Sequence, residues 1–289
     1  MKIIHVIHDQ DPSLLLRQQG LDARLLSHSH EVETWTIRES TFSAGDERLP
    51  LRRLSKHLED TDPDLVHFYT DRLPFNRILL ASGLPSVAPV RPSRRWFAFK
   101  RNLTPARVRS PHPAMGGPDA IPEAVDSRFF DVGPPESSTP SVSGIVENDR
   151  ARSFAEAVRS RIVRLRDDVD WRTTPRVPSA DELTDLHVWI DFGGPTARDS
   201  YVPEALVCGL TVVTERSKLN NERLLQGKAG FLVPPDDPNE MAHVVLTALF
   251  KPEIARPRLE SARQSRDRFR PSVRQSALEN LYESVARSS

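Results

Sequence analysis

Residues 188–245 read VWIDFGGPTARDSYVPEALVCGLTVVTERSKLNNERLLQGKAGFLVPPDDPNEMAHVV, and the rest of the chain is organised around them. The apolar run Leu186 to Ile190 is short and bounded, as a buried strand is. Val202 to Leu206 opens a helix that stops at Gly209, just before the β-branched run Thr211 to Thr214. The stretch therefore predicts strand, loop, helix, strand, helix, strand, helix, which are α/β units with short connections. Ligands of such sheets lie beyond the carboxyl ends of the strands, so the loop from Asp191 to Pro203 is where chemistry is expected.

Working outward, a chain of 289 residues is long enough for two domains, each with its own core. Lysine plus arginine equals aspartate plus glutamate, 40 of each, so global charge argues against a nucleic-acid partner and leaves local clusters to carry any such case. The single cysteine, Cys208, excludes an internal disulfide, points to a reducing compartment, and reads as a buried inert thiol within VPEALVCG. The apolar start of MKIIHVIHDQDP is interrupted by Asp9 and Asp11 too early for a signal peptide or a membrane span. A cytoplasmic protein is expected.

In chain order, strands are predicted at Lys2 to Ile7, Glu31 to Ile37, Leu65 to Tyr69 and Pro85 to Val90. Helices are predicted at Ser13 to Ser27, Leu51 to Leu58 and Phe75 to Ser82. From Arg91 to Arg109 the pattern gives way to basic and aromatic residues. After a proline- and serine-rich linker, with a domain boundary near residue 130, a strand is expected at Ser141 to Val146, a helix at Arg152 to Ser160 and a strand at Arg161 to Leu165. Three helices close the chain, at Pro238 to Phe250, Pro257 to Arg268 and Pro271 to Arg287, with Pro257 and Pro271 placed in first turns.

The strings PEALVCGLTVVT and GKAGFLVPPDDPNEMAHVVLTAL resemble the carboxyl-terminal domain of retaining family-four glycosyltransferases (glycosyl transferases group 1) of the GT-B fold. MKIIHVIH, HEVETWTI, DPDLVHFY, GLPSVAPV and IPEAVDSRFF are similar to successive landmarks of that family's amino-terminal domain, and SARQSRDRFRPSVRQSALENLYESV to its last helices. The resemblance implies two Rossmann-like α/β domains facing across a cleft. These are an acceptor-side domain over 1–130, a nucleotide-sugar-binding domain over 131–270 and a helix over 271–289 that crosses back to the first. It also implies sugar transfer from a nucleotide diphosphate sugar with retention, with no cofactor and no essential metal.

Carried over by position, the resemblance places Glu204 as the acceptor for the ribose hydroxyls; as an acid in the first turn of a helix it would also complement the helix dipole. Ser200, Tyr201 and Val202 stand where backbone amides face the diphosphate, with Arg198 as an added cation and Asn220 and Asn221 near the base or phosphates. Arg150 falls near the family's phosphate-binding lysine, while Ile145 stands at the arginine beside it. The family's first glutamate, which orients the transferred sugar, corresponds to Thr196, with Asp199 as a substitute in a shifted register. The loop DQDPSLLL lacks the family's glycine pair, and Arg91 replaces a histidine. Arg91, Arg94, Arg95, Lys100 and Arg101, interleaved with Trp96, Phe97 and Phe99, form a basic aromatic patch suited to anionic lipid, a phosphorylated acceptor or nucleic acid; the resemblance favours the first two, hence a peripheral position at the inner face of a membrane.

Two functions follow. One is a glycosyltransferase acting on a lipid-linked or cell-envelope acceptor. The other, motivated by Thr196, Ile145, Arg91 and the missing glycines, is a catalytically inactive GT-B-like partner of an active glycosyltransferase.

Overall fold

The computed structural model describes residues 1–9, 13–39, 41–69, 85–87, 108–109, 121–133, 135, 137–175, 178–192 and 200–287. The chain forms two compact units, Met1–Glu123 with Pro271–Ser289, and Ala124–Arg270. The expected helix at Phe75 to Ser82 lies outside the described residues, as does most of the basic stretch from Arg91 to Arg109.

In the first unit, β1 (Lys2–His8) runs into α1 (Ser13–Leu26), followed by β2 (Glu31–Arg38), β3 (Thr41–Ala44), β4 (Glu47–Pro50), α2 (Leu54–Thr61), β5 (Leu65–Phe68), β6 (Ser86–Val87) and β7 (Val108–Arg109). The sheet order is β4-β3-β2-β1-β5-β6-β7. Strands β2, β1, β5, β6 and β7 are parallel, and β3 and β4 add an antiparallel edge. Side chains alternate between faces with the period of a strand. Ile4 and Val6 join Trp35, Phe42, Leu54 and Leu58 on one face, whereas Ile3 joins Leu26, Leu278 and Tyr282 on the other. The closing helix, Pro271–Arg287, thus supplies core to this unit.

The second unit holds β8 (Ser141–Gly144), α3 (Asp149–Leu165), β9 (Asp170–Trp171), α4 (Ala180–Leu183), β10 (Val188–Asp191), α5 (Val202–Val207), β11 (Thr211–Glu215), α6 (Lys218–Arg223), β12 (Phe231–Val233), α7 (Pro238–Phe250) and α8 (Pro252–Ser265). Its sheet, in the order β12-β11-β10-β8-β9, is wholly parallel. Val188 and Ile190 pack with α3 and α7 on one face, and Trp189 with α5 on the other.

Several local expectations are corrected. Arg161 to Leu165 is the end of α3 and not a strand: Ala151, Phe154, Ala155, Val158 and Ile162 form one buried helical face, and Val163 and Leu165 are left exposed. Pro252 takes the first position of α8, and Pro257 sits inside that helix, exposed. The hairpin of β3 and β4 was not foreseen; Gly45, at φ 56°, makes its turn. The units divide at Glu123/Ala124 instead of near residue 130, because Val125 and Phe129 are buried in the second unit's core and the Val125 amide donates to the Phe269 carbonyl at 2.9 Å.

Candidate functional site

The second sheet changes direction of travel at β8. From β8 the chain moves to β9 on one side, then returns past β8 to β10 and continues to β11 and β12 on the other. The strands that follow β8 and β10 therefore lie on opposite sides, which makes the carboxyl ends of β8 and β10 the switch point at which doubly wound sheets bind ligands. Gly144 ends β8 beneath this point; a Cβ there would collide with the Ile190 carbonyl and the Phe192 ring. Only glycine lets the two strand ends approach so closely.

Arg150 lies in the first turn of α3, directly after β8, where the Asn148 side chain caps the helix by accepting from the Ala151 amide at 2.9 Å. Its guanidinium reaches across the strand ends. Nη1 donates to the Phe192 carbonyl at 3.4 Å, and Nη2 donates to both oxygens of Glu215 at 3.2 Å and to Asp236 Oδ1 at 2.5 Å. Burial lowers the pKa of Arg150, but the hydrogen bonds and charges of Asp236 and Glu215 more than reverse this, so it is raised overall. The arginine is thus already paired with carboxylates.

A second polar string runs beside it. Asp191, buried at the end of β10, accepts from Ser200 Oγ at 3.2 Å and from Thr214 Oγ1 at 3.1 Å. The register sets Asp191 opposite Thr214, which brings the two side chains side by side. Asn220 Nδ2 donates to Thr214 Oγ1 at 2.8 Å and to the Glu215 carbonyl at 3.0 Å, so both of its amide hydrogens are used inside the unit. Ser200 Oγ also accepts from the Val202 amide at 3.3 Å. Tyr201 and Val202 are buried at the start of α5, with the Tyr201 ring against Trp189, and Glu204 is buried in the first turn. Asn221 lies apart from this string, lining an open surface cavity of 660 Å³ with Lys218, Glu222, Leu225, Gln226 and Lys228.

Of the residues singled out from the sequence, Arg150, Ser200, Tyr201, Val202, Glu204 and Asn220 fall on the carboxyl-end connections of this one sheet. Thr196, Arg198 and Asp199 lie outside the described residues, as do Arg91, Arg94, Arg95, Lys100 and Arg101. Asp191, Glu215 and Asp236 were not singled out. The signal was there for the first two: VWID and TVVTE each end an apolar strand on a carboxylate, the position where such sheets place chemistry. Among the described residues no cluster of His, Cys, Asp and Glu is placed to hold a metal ion, and no helix is long and apolar enough to cross a membrane.

No family model and no curated protein matches the sequence. Solved structures do match. A glycosyltransferase from Rickettsia africae superposes with a TM-score of 0.72 over 99% of both chains at 12% identity. The chain has the GT-B glycosyltransferase fold. HepE of Anabaena, solved with UDP-glucose, matches with a TM-score of 0.60 at 14% identity, covering 98% of this chain and 100% of its own. WaaG, a glycosyltransferase involved in lipopolysaccharide biosynthesis, matches at 0.58 and 11% identity over 95% of this chain and 98% of its own. In GT-B terms, the switch point with Arg150 belongs to the carboxyl-terminal of the two Rossmann-like units.

Proposed function

We propose that the chain transfers a glycosyl group from a nucleotide diphosphate sugar to a hydroxyl acceptor, with retention at the anomeric carbon. The observation that carries this reading is Arg150, a cation held at the switch point of a sheet whose full-length structural neighbours are glycosyltransferases, one of them solved with UDP-glucose. When the bond between the anomeric carbon and the diphosphate oxygen breaks, the electron pair and negative charge pass to the diphosphate. A fixed guanidinium beside that oxygen stabilises the transition state more than the ground state. The acceptor hydroxyl bonds to the anomeric carbon and its proton leaves with the diphosphate. Glu204 is assigned to the ribose hydroxyls, Thr196 and Asp199 to the sugar. The acceptor is proposed to be lipid-linked or part of an envelope glycan, met by the basic residues Arg91, Arg94, Arg95, Lys100 and Arg101; WaaG's role in lipopolysaccharide synthesis supports this choice.

Calorimetric titration with uridine, guanosine and adenosine diphosphate sugars tests the reading. Binding of one class is expected, weakened by roughly ten- to a hundredfold in Glu204→Gln, since a hydrogen bond to a charged group is lost. Failure to bind any of them overturns it. A second reading, a catalytically inactive GT-B protein acting as partner of an active transferase, is favoured by Thr196 standing where a carboxylate is expected and by the neutralisation of Arg150 by Glu215 and Asp236. Donor binding without sugar transfer or donor hydrolysis would select it.

A further inference from the structure

The two carboxylates on Arg150 differ in their access to water. The Glu215 side chain is 1% exposed and that of Asp236 72%, with Arg150 itself at 41%. Glu215 has the Arg150 guanidinium and the Asp236 backbone amide, at 2.7 Å, as its hydrogen-bond donors. Withdrawing Arg150 would leave a buried carboxylate on a single amide, which is strongly unfavourable. Asp236 meets the same guanidinium at the rim, where an ion pair contributes little and water readily replaces the arginine. Of its two carboxylate partners, Arg150 therefore has one permanent and one exchangeable. Asp236 stands at φ 55°, in the left-handed region, with its amide anchored to Glu215, so its backbone is held beside Arg150 while its exposed side chain can turn away.

Resting on the reading of this edge as the nucleotide-sugar site, we infer that Asp236 is a built-in competitor for Arg150, displaced by the diphosphate of the ligand while Glu215 keeps the guanidinium in position. A diphosphate carries more charge than a carboxylate and offers the paired oxygens that a guanidinium fork prefers. A ligand without phosphate lacks the charge to displace Asp236. The arrangement thereby sets a threshold of anionic charge for occupancy of the site, and it makes Glu215 a positioning residue that acts through Arg150.

The test is titration of the wild type, Asp236→Asn, Glu215→Gln and Arg150→Ala with UDP, GDP, ADP and inorganic pyrophosphate at fixed ionic strength. Asparagine tolerates the left-handed backbone, so Asp236→Asn removes the charge and keeps the loop. Asp236→Asn should bind the selected nucleotide and pyrophosphate about two- to fivefold more tightly than the wild type, the scale of one exposed ion pair. Glu215→Gln and Arg150→Ala should bind both more weakly, with thermal melts reporting that each variant is folded. If the wild type binds a nucleotide and Asp236→Asn binds it equally or less well, the competitor role is overturned while the proposed function stands. If neither the wild type nor Asp236→Asn binds any of these anions, the site reading and the inference fall together.

Discussion

Arg274 and Asp22 form a bidentate ion pair inside the first unit, with Nε to Oδ1 at 2.5 Å and Nη2 to Oδ2 at 2.7 Å, their side chains 7% and 0% exposed. The remaining Arg274 Nη1 donates to the Pro122 carbonyl at 2.7 Å, and the Tyr69 hydroxyl donates to Asp22 Oδ2 at 2.7 Å. The closing helix is thereby joined to α1 by charge, and to the core of this unit by Leu278, Leu281, Tyr282 and Val285.

Removing one member of this pair should be far more damaging than replacing both. Asp22→Asn leaves the Arg274 charge buried with weakened compensation, and a loss of about 3–5 kcal/mol from the first unit is expected. The double replacement Asp22→Leu with Arg274→Met removes both desolvated charges and should cost much less than the sum of the single changes. Denaturant-dependent hydrogen exchange of peptides from α1 and from Pro271–Arg287 measures both. Equal and additive losses would show that the pair is not coupled.

The first unit should also lose stability in mild acid. His5 and His67 are paired across β1 and β5, and the Tyr282 hydroxyl lies 2.6 Å from His67 Nδ1 and 3.4 Å from His5 Nε2. Burial lowers the pKa of His5 from 6.5 to about 4; Asp22 works against this and Arg274 reinforces it. Burial, His5 and Arg274 likewise hold His67 well below its ordinary value. Between these values the unfolded chain binds a proton that the folded unit excludes, so stability is complete above about pH 6.5 and falls as the pH drops toward 4. For His5 alone the loss is about 3 kcal/mol over that window. Unfolding of the first unit at pH 7.5, 6 and 5 should show this slope, and His5→Gln should flatten it.

These buried partners explain what could and could not be read from the sequence. The α/β units from β10 to α7 were legible because each strand is a bounded apolar run and each helix is punctuated by proline or glycine. The hairpin at residues 41–50 was not, since Phe42 is its one fully buried side chain and the alternation is otherwise polar. RIVRL, at the end of α3, is locally indistinguishable from a strand, and only the buried face set by Phe154, Val158 and Ile162 decides it. In the site, Arg150 was singled out only through the resemblance to the family's basic pair. Its carboxylate partners, 65 and 86 residues away, depend on strand order, which no local pattern carries.

Cys208 should resist alkylation in the folded protein. It is buried after α5, its thiol directed at the Phe129 carbonyl at 3.5 Å, and burial followed by the Glu204 charge pushes its pKa up to about 12. Since the thiolate is the reactive form, iodoacetamide at pH 8 should label it only after denaturation. Rapid labelling of the native protein would contradict this packing.

Gly144→Ala tests whether the close approach at the switch point matters for the site above it. The added Cβ would lie 2.5 Å from Phe192 Cε2, so the ring must move or the strand ends must separate. Overpacking of this kind costs about 1–3 kcal/mol, which should appear as a lower denaturation midpoint for the second unit. The consequence for binding is separable from that loss. The Phe192 carbonyl accepts from Arg150 Nη1, so displacing Phe192 loosens one of the guanidinium's three anchors, leaving Glu215 and Asp236. Pyrophosphate affinity should therefore fall in Gly144→Ala even at temperatures where the variant is fully folded. A change of the same size at Gly133, where nothing lies within 4 Å of an added Cβ, should leave both stability and affinity as they are. If Gly144→Ala loses stability but binds pyrophosphate like the wild type, the Phe192 contact does not help to place Arg150.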